Sequence, residues 1–188
     1  MQNRMKALQI LTALILALLA FGPLPQQAVH AQEPQISKTI VIYEAYGGGG
    51  NSGALYKNDY VVLFNLSNAD VIIDNWKLRG YALSGSQYAE SPTILTGTIP
   101  AGGYYLIQEA AGTGTTMPGL PSPDATGTIA LKADTFSVIL ESNDSKQIDA
   151  VGFGTGTAFW EGPSGVRAPL LSNKLAGMRN DPCIDTGH

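Results

Sequence analysis

Residues 39–46 read TIVIYEAY, and residues 59–65 read DYVVLFN. Both stretches are rich in β-branched and aromatic side chains, which favour the pleated and partly buried backbone of a strand. The second stretch is apolar at nearly every position, which predicts a strand that is buried on both faces or central in its sheet. The two stretches therefore predict a β-rich fold that begins with these two strands.

Further strand-like stretches follow at intervals of roughly ten residues, separated by turn signals. They are residues 71–73, 76–81, 94–99, 104–108, 127–131, 136–141 and 146–153. Residues 112–126 contain three prolines and predict a long loop, and the chain from about residue 154 onward predicts loops. No helical periodicity of useful length appears after the N-terminal region. This pattern is typical of an immunoglobulin-like β-sandwich, so the predicted fold class is all-β.

The N-terminal region has the three parts of an export signal. Arg4 and Lys6 give it a positive start, residues 7–21 are mainly apolar, and residues 29–31 (VHA) place small residues where a signal peptidase cleaves. The sequence predicts a helical signal peptide over residues 1–31 and secretion, either to the extracellular medium or to the cell envelope. The alternative is a retained anchor, which would be the chain's only route to a membrane.

Cleavage after residue 31 would leave a short linker, residues 32–38, and one domain, residues 39–188. It would also remove two of the 11 Lys and Arg residues against 15 Asp and Glu, which lowers the formal net charge from −4 to −6. An acidic surface repels phosphate, so nucleic acid is not expected as a partner of this chain alone. The single cysteine, Cys183, cannot form a disulfide within the chain and is either a free thiol or a link to another chain.

Several ordered motifs resemble a known family. Residues 43–54 (YEAYGGGGNSGA) with 56–60 (YKNDY), residues 99–110 (IPAGGYYLIQEA), residues 149–154 (DAVGFG) and residues 161–162 (EG) are similar to bacterial lamin-tail domains, from about residue 40 to 185. The resemblance implies an immunoglobulin-like β-sandwich that acts as a module and not as an enzyme. Such domains are often attached to secreted nucleases or phosphatases, and the related domain of nuclear lamins mediates protein and nucleic-acid contacts.

Two positions depart from the family's pattern. Val62 stands where the second strand usually carries an acidic residue, which weakens any claim of a shared acidic site. The segment 183–186 (CIDT) is similar to the family's closing segment, but the sequence stops at His188 before the expected acidic continuation.

The glycine-rich stretch 47–53 lacks the following helix and the Lys-Ser or Lys-Thr pair of a phosphate loop. Glu44, Asn51, Asn58 and Asp59 are candidate Ca²⁺ ligands, because Ca²⁺ takes ligands that are all oxygen. In the alternative interpretation, Asp59 accepts hydrogen bonds from backbone amides of the glycine-rich loop. No other metal and no cofactor is predicted.

Catalysis is not predicted. After signal cleavage the only histidine is His188, at the last position, where it cannot serve as a fixed general base. A pair of carboxylates needs no histidine, and the candidate pairs are Glu44 with Asp59 and Glu109 with Glu161. We rank this enzyme hypothesis below the two binding hypotheses of the next paragraph.

Aromatic residues suggest a binding surface. Tyr104 and Tyr105 are consecutive in a predicted strand and must point to opposite faces, so one of them is expected to face outward. Trp160 lies in a turn-rich stretch, although it could instead plug one end of the sandwich, as could Trp76. The sequence therefore predicts a secreted, non-catalytic module that contacts a protein or cell-envelope partner. The alternatives are a carbohydrate-binding module that uses Tyr104, Tyr105 and Trp160, or the accessory domain of an extracellular nuclease or hydrolase system.

Overall fold

The computed structural model describes residues 39–159 and 167–179. The predicted signal peptide and linker lie outside the described residues, as do Trp160, Glu161 and Cys183. Within the described ranges the chain forms strands, turns and bends and has no helix. No helix in this part of the chain is therefore long and apolar enough to cross a membrane.

Eleven strands make up this part of the chain. Their bounds are β1 Ile40–Tyr46, β2 Asn58–Asn65, β3 Val71–Ile72, β4 Trp76–Tyr81, β5 Thr93–Leu95, β6 Thr98–Ile99, β7 Tyr104–Ala111, β8 Ala125–Thr126, β9 Phe136–Glu141, β10 Gln147–Phe153 and β11 Gly177–Met178.

The strands form two sheets and a small ribbon. The five-stranded sheet has the order β11-β1-β2-β7-β8, and the four-stranded sheet has the order β10-β9-β4-β5. All pairs in the two sheets are antiparallel except β7 with β8. The short ribbon joins β3 to β6. The prediction of an all-β, immunoglobulin-like β-sandwich is confirmed.

The hydrophobic core draws on strands of both sheets. Alternate residues of the central strands point into it, as the period of two in a strand requires. From the five-stranded sheet it contains Ile40, Ile42, Ala45, Val61, Leu63, Tyr105 and Ile107, and from the four-stranded sheet Leu78, Leu95, Phe136, Val138, Leu140 and Phe153. The opposite faces of these strands are consequently the outer faces of the sandwich.

Most predicted strands are confirmed within one or two residues, and β7 extends further than predicted. Four predictions are wrong, and one of them is the long loop over residues 112–126, whose last two residues form β8 and pair with β7. Residues 94–99 form two strands in different sheets, because Gly97 adopts a φ of 98° that ends the extended backbone between them. The region after residue 154, predicted to be loops, contributes β11, which pairs with β1 at the sheet edge.

Residues 127–131 were predicted to form a strand, but the structure contains none there. The amides of Ile129 and Leu131 donate instead to the carboxylates of Glu109 (2.9 Å) and Asp59 (2.9 Å). The segment is therefore held beside the five-stranded sheet by these two carboxylates together with two backbone hydrogen bonds to β7. The Gly127 amide donates to the carbonyl oxygen of Gln108 (2.7 Å), and the Ala110 amide donates to the carbonyl oxygen of Ile129 (3.1 Å).

A buried carboxylate ties the two sheets together. Asp149 of β10 is 0% exposed, and its Oδ2 accepts a hydrogen bond from the amide of Ile42 in β1 (2.6 Å). The register of β1 against β2 shifts at this point, between Ile42 and Glu44. Arg179 donates to both oxygens of Asp149 (3.0 and 3.2 Å) and to the carbonyl oxygen of Ile42 (2.9 Å). This group, the Asp149 clamp, joins β10, β1 and the segment that follows β11.

The glycine-rich loop packs closely against other backbone segments. A Cβ atom on Gly47 would lie 2.2 Å from the carbonyl oxygen of Lys132, and one on Gly48 would lie 2.7 Å from the Cα of Asn173. These two glycines are required because no side chain fits. Gly50 and Gly53 adopt positive φ, as a reversing loop requires.

Candidate functional site: an aromatic patch on the outer sheet face

Three aromatic rings from three adjacent strands meet on the outer face of the five-stranded sheet. Tyr43 comes from β1, Phe64 from β2 and Tyr104 from β7. The ring centroid of Tyr104 lies 4.7 Å from that of Phe64 and 5.2 Å from that of Tyr43, and the centroids of Tyr43 and Phe64 are 6.1 Å apart. We call these three residues the aromatic patch.

The patch is presented to solvent mainly by Tyr104, which is 53% exposed, while Tyr43 is half-buried and Phe64 is buried. Phe64 and Tyr104 are directly opposite each other in the β2–β7 register, so their contact is fixed by the backbone. Burial raises the pKa of the Tyr43 phenol above its ordinary value, and the neighbouring phenol of Tyr104 adds to the shift. The two phenols therefore interact at the rim of the patch.

Tyr105 does not belong to this surface. Its side chain is 5% exposed and lies in the core, and its hydroxyl donates to the carbonyl oxygen of Thr96 (2.8 Å). Burial raises the pKa of this phenol. Of the two consecutive tyrosines predicted to contact a ligand, only Tyr104 is available, because strand alternation turns Tyr105 inward. Trp160, the third predicted contact residue, lies outside the described residues.

A second group of tyrosines occupies the same outer face but is closed to ligands. The rings of Tyr46 and Tyr60 stack at 5.3 Å and are 1% and 7% exposed. The Tyr46 hydroxyl donates to the carbonyl oxygen of Asn173 (2.6 Å), and the Tyr60 hydroxyl donates to the carboxylate of Glu44. Burial first, and then the Glu44 carboxylate, raises the pKa of Tyr60. These tyrosines are structural.

Two buried carboxyls lie on the inner side. Asp59 accepts from the amides of Gly49 (2.8 Å) and Leu131 (2.9 Å), yet burial outweighs these bonds and raises its pKa to about 7. Burial also raises the pKa of Glu109, although the Thr93 hydroxyl and the Ile129 amide act in the opposite direction. Both carboxyls have protein partners, which is the condition for burying a polar group without a large cost.

The four candidate Ca²⁺ ligands each make a hydrogen bond within the protein. Glu44 bonds to Tyr60 and Asp59 to the Gly49 amide, which is the loop contact that the alternative interpretation expects. Asn51 donates to a side-chain oxygen of Asn173, and Asn58 donates to the carbonyl oxygen of Glu109. In residues 39–159 and 167–179, no group of three or more His, Cys, Asp or Glu side chains is placed to hold a metal ion.

The candidate carboxylate pair Glu44 and Asp59 is not assembled. Glu44 bonds to Tyr60 on the outer face, whereas Asp59 precedes Tyr60 in β2 and points to the opposite face, where it bonds to Leu131. Glu109 is 1% exposed, and its predicted partner Glu161 lies outside the described residues. The arrangement of Glu44 and Asp59 therefore offers no paired acid and base.

A shallow, open cleft of mixed polar and apolar lining, which sequence reasoning missed, lies beside the glycine-rich loop. It has a volume of about 580 Å³ and is lined by Asn51, residues 131–134 and residues 171–173. Asn51 and Asn173 bond to each other across it (3.1 Å). Its walls come from segments far apart in sequence, so no local pattern announces it.

Fold and surface together define the class of the protein, an immunoglobulin-like β-sandwich domain with an aromatic patch on one outer face. A family model for the lamin tail domain matches residues 33–155, about two thirds of the sequence, and the chain belongs to that family. The lamin tail domain is a non-catalytic, immunoglobulin-like domain family. The matched region ends before residues 161–162 and 183–186, which the sequence comparison had included. A search of curated proteins finds no match.

Proposed function

We propose that this chain is a secreted, non-catalytic interaction module that contacts a protein or a cell-envelope component through its aromatic patch. The observation that carries the proposal is the exposure of Tyr104, at 53%, on top of Phe64 and Tyr43. In antiparallel sheets the outer face is commonly polar, so adjoining aromatic rings there call for a functional explanation. Secretion is supported by the signal-like residues 1–31.

The absence of catalysis is part of this proposal. Its support is that Glu44 and Asp59 point to opposite faces of the five-stranded sheet and that both carboxylates are bonded to protein groups. The family is non-catalytic, which agrees with this argument.

The test is binding of the purified chain to envelope fractions and to extracellular proteins. Replacing Tyr104 and Tyr43 by alanine should reduce binding at least tenfold, because exposed aromatic anchors dominate contact energies. Ile94→Ala is the matched control, since Ile94 is 49% exposed but belongs to an edge strand of the other sheet. Equal binding by the wild type, the variant with both tyrosines replaced and Ile94→Ala would contradict the proposal.

A second candidate is carbohydrate recognition by the same patch. The exposed Tyr104 ring, with its hydroxyl at the rim, could stack on a sugar ring and also donate a hydrogen bond. Retardation of the chain in gels that contain envelope polysaccharide, lost in Tyr104→Ala, would favour this candidate. Binding to proteins alone would favour the first, and binding only together with a secreted nuclease or hydrolase would assign the chain as an accessory domain.

A further inference from the structure

The two tyrosines of the aromatic patch combine close approach with solvent access. Tyr43 and Tyr104 have ring centroids 5.2 Å apart with an interplanar angle of 57°, and Tyr104 is 53% exposed. Their strands, β1 and β7, are not neighbours, because β2 lies between them. We propose that Tyr43 and Tyr104 form an oxidative modification site, at which a peroxidase-type one-electron oxidant joins the two rings as an intramolecular dityrosine.

The chemistry needs only an oxidant and the two phenols. Each phenol loses one electron and one proton, and the unpaired spin of each phenoxyl radical is shared with the ring carbons beside the oxygen. The two radicals form one carbon–carbon bond between such carbons, and the hydrogen on each joined carbon moves to its oxygen and restores the phenol. In total the chain loses two hydrogen atoms, and hydrogen peroxide accepts the two electrons and two protons to become two molecules of water.

Three other tyrosines lie close together, but their contacts do not join two accessible rings. Tyr56 is partly exposed, and its neighbours Tyr46 and Tyr60 (6.3 and 5.9 Å) are buried. Tyr46 and Tyr60 are 5.3 Å apart, but both are buried and their rings are stacked at 30°. Their hydroxyls already donate to Asn173 and Glu44. An oxidant in solution therefore meets the Tyr43–Tyr104 pair first, and a tilted contact lets the ring edges that must bond approach each other.

The link would be a covalent cross-link within the chain, which a disulfide cannot provide because Cys183 is the only cysteine. Joining residues 43 and 104 closes a loop of about 60 residues, which lowers the entropy of the unfolded chain as a disulfide of equal span does. For a domain of this size, the corresponding rise in Tm is roughly 10 °C.

The test treats the purified, dilute chain with a peroxidase and an equimolar amount of hydrogen peroxide. The expected product is a monomer that has lost two hydrogens, shows dityrosine fluorescence, yields a cross-linked peptide pair containing residues 43 and 104, and melts at a higher temperature. Tyr43→Phe and Tyr104→Phe keep the rings and should each abolish the product. Tyr56→Phe, which alters another partly exposed tyrosine, should leave the yield unchanged.

Three results would overturn the proposal: no dityrosine in the wild type, coupling only between chains to give covalent dimers, or an intramolecular link that persists in Tyr43→Phe. The proposal is independent of the partner. Binding to envelope material is measured without oxidant, so a failure of the cross-link leaves the proposed function standing.

Discussion

Removing the Asp149 carboxylate is the most direct test of how the sandwich is held together. Asp149 is 0% exposed, accepts from the Ile42 amide at 2.6 Å and pairs with Arg179 at 3.0 Å. In Asp149→Ala, the Ile42 amide and the Arg179 guanidinium both lose this carboxylate at a site where water has little access.

The expected loss follows from two contributions. Depriving a buried amide of its acceptor costs about 1–3 kcal/mol, and breaking a buried ion pair from one side costs about 3–5 kcal/mol. The two figures describe the same carboxylate and are not additive. We therefore expect Asp149→Ala to lower the free energy of unfolding by about 4 kcal/mol, a large share of the ~5–15 kcal/mol that stabilises a typical domain.

Urea unfolding followed by circular dichroism measures this loss. Glu141→Ala is the matched control, because Glu141 pairs with Arg79 at the same 3.0 Å but the two side chains are 18% and 21% exposed. Its loss should be about 1 kcal/mol or less, as for other accessible pairs. Asp149→Asn keeps one acceptor oxygen, so its loss of unfolding free energy should lie between those of Asp149→Ala and Glu141→Ala. Equal losses for Asp149→Ala and Glu141→Ala would refute the argument that the clamp holds the sheets together.

Three further predictions concern single positions. Gly47→Ala should lower the free energy of unfolding by more than about 2 kcal/mol or prevent folding, because its Cβ would lie 2.2 Å from a backbone oxygen. The control is Gly119→Ala, whose Cβ would have nothing within 4 Å, and thermal unfolding should show it to be as stable as the wild type. Tyr105→Phe should cost about 1 kcal/mol by losing a buried hydrogen bond, and Tyr104→Phe should cost almost nothing in chemical denaturation. In the folded state the pKa of Asp59 is about 7, whereas its ordinary pKa is 3.8. The stability that this group contributes is therefore greatest below pH 4 and is lost as the pH rises to 7. Asp59→Asn should reduce the fall in unfolding free energy with pH by up to about 1.4 kcal/mol per pH unit. If the variant and the wild type instead show parallel plots of stability against pH, Asp59 is not the group that takes up this proton.

Sequence reasoning succeeded where the signal is local. β1, β2, β9 and β10 were identified because runs of β-branched and aromatic residues leave few alternatives to a strand. It failed at residues 127–131, where the amides of Ile129 and Leu131 bond to Glu109 and Asp59, which are 20 and 72 residues away in sequence. No local pattern reveals such partners.

The sequence predicted only part of the candidate site, again because the missing information is not local. Alternation required that one of Tyr104 and Tyr105 face outward, but the choice between them depends on the register of β7 against β2. The same register places Phe64 beneath Tyr104, and it adds Tyr43 from a strand that is not adjacent to β7. A period-two reading of β2, anchored on a core residue such as Leu63, could have placed Phe64 on the outer face.

The Asp149 clamp and β11 have a consequence for the order of assembly. The first strand pairs on one edge with residues 177 and 178, and its irregular point at Ile42 is completed by Asp149 and Arg179. A chain that emerges from the ribosome or from a translocation pore with its N-terminus first can therefore close this edge only after residues 177–179 have emerged. Because contacts of such long sequence separation slow folding, we expect the edge of β1 to stay open until residues 177–179 arrive, and we expect its closure to be a late step of folding.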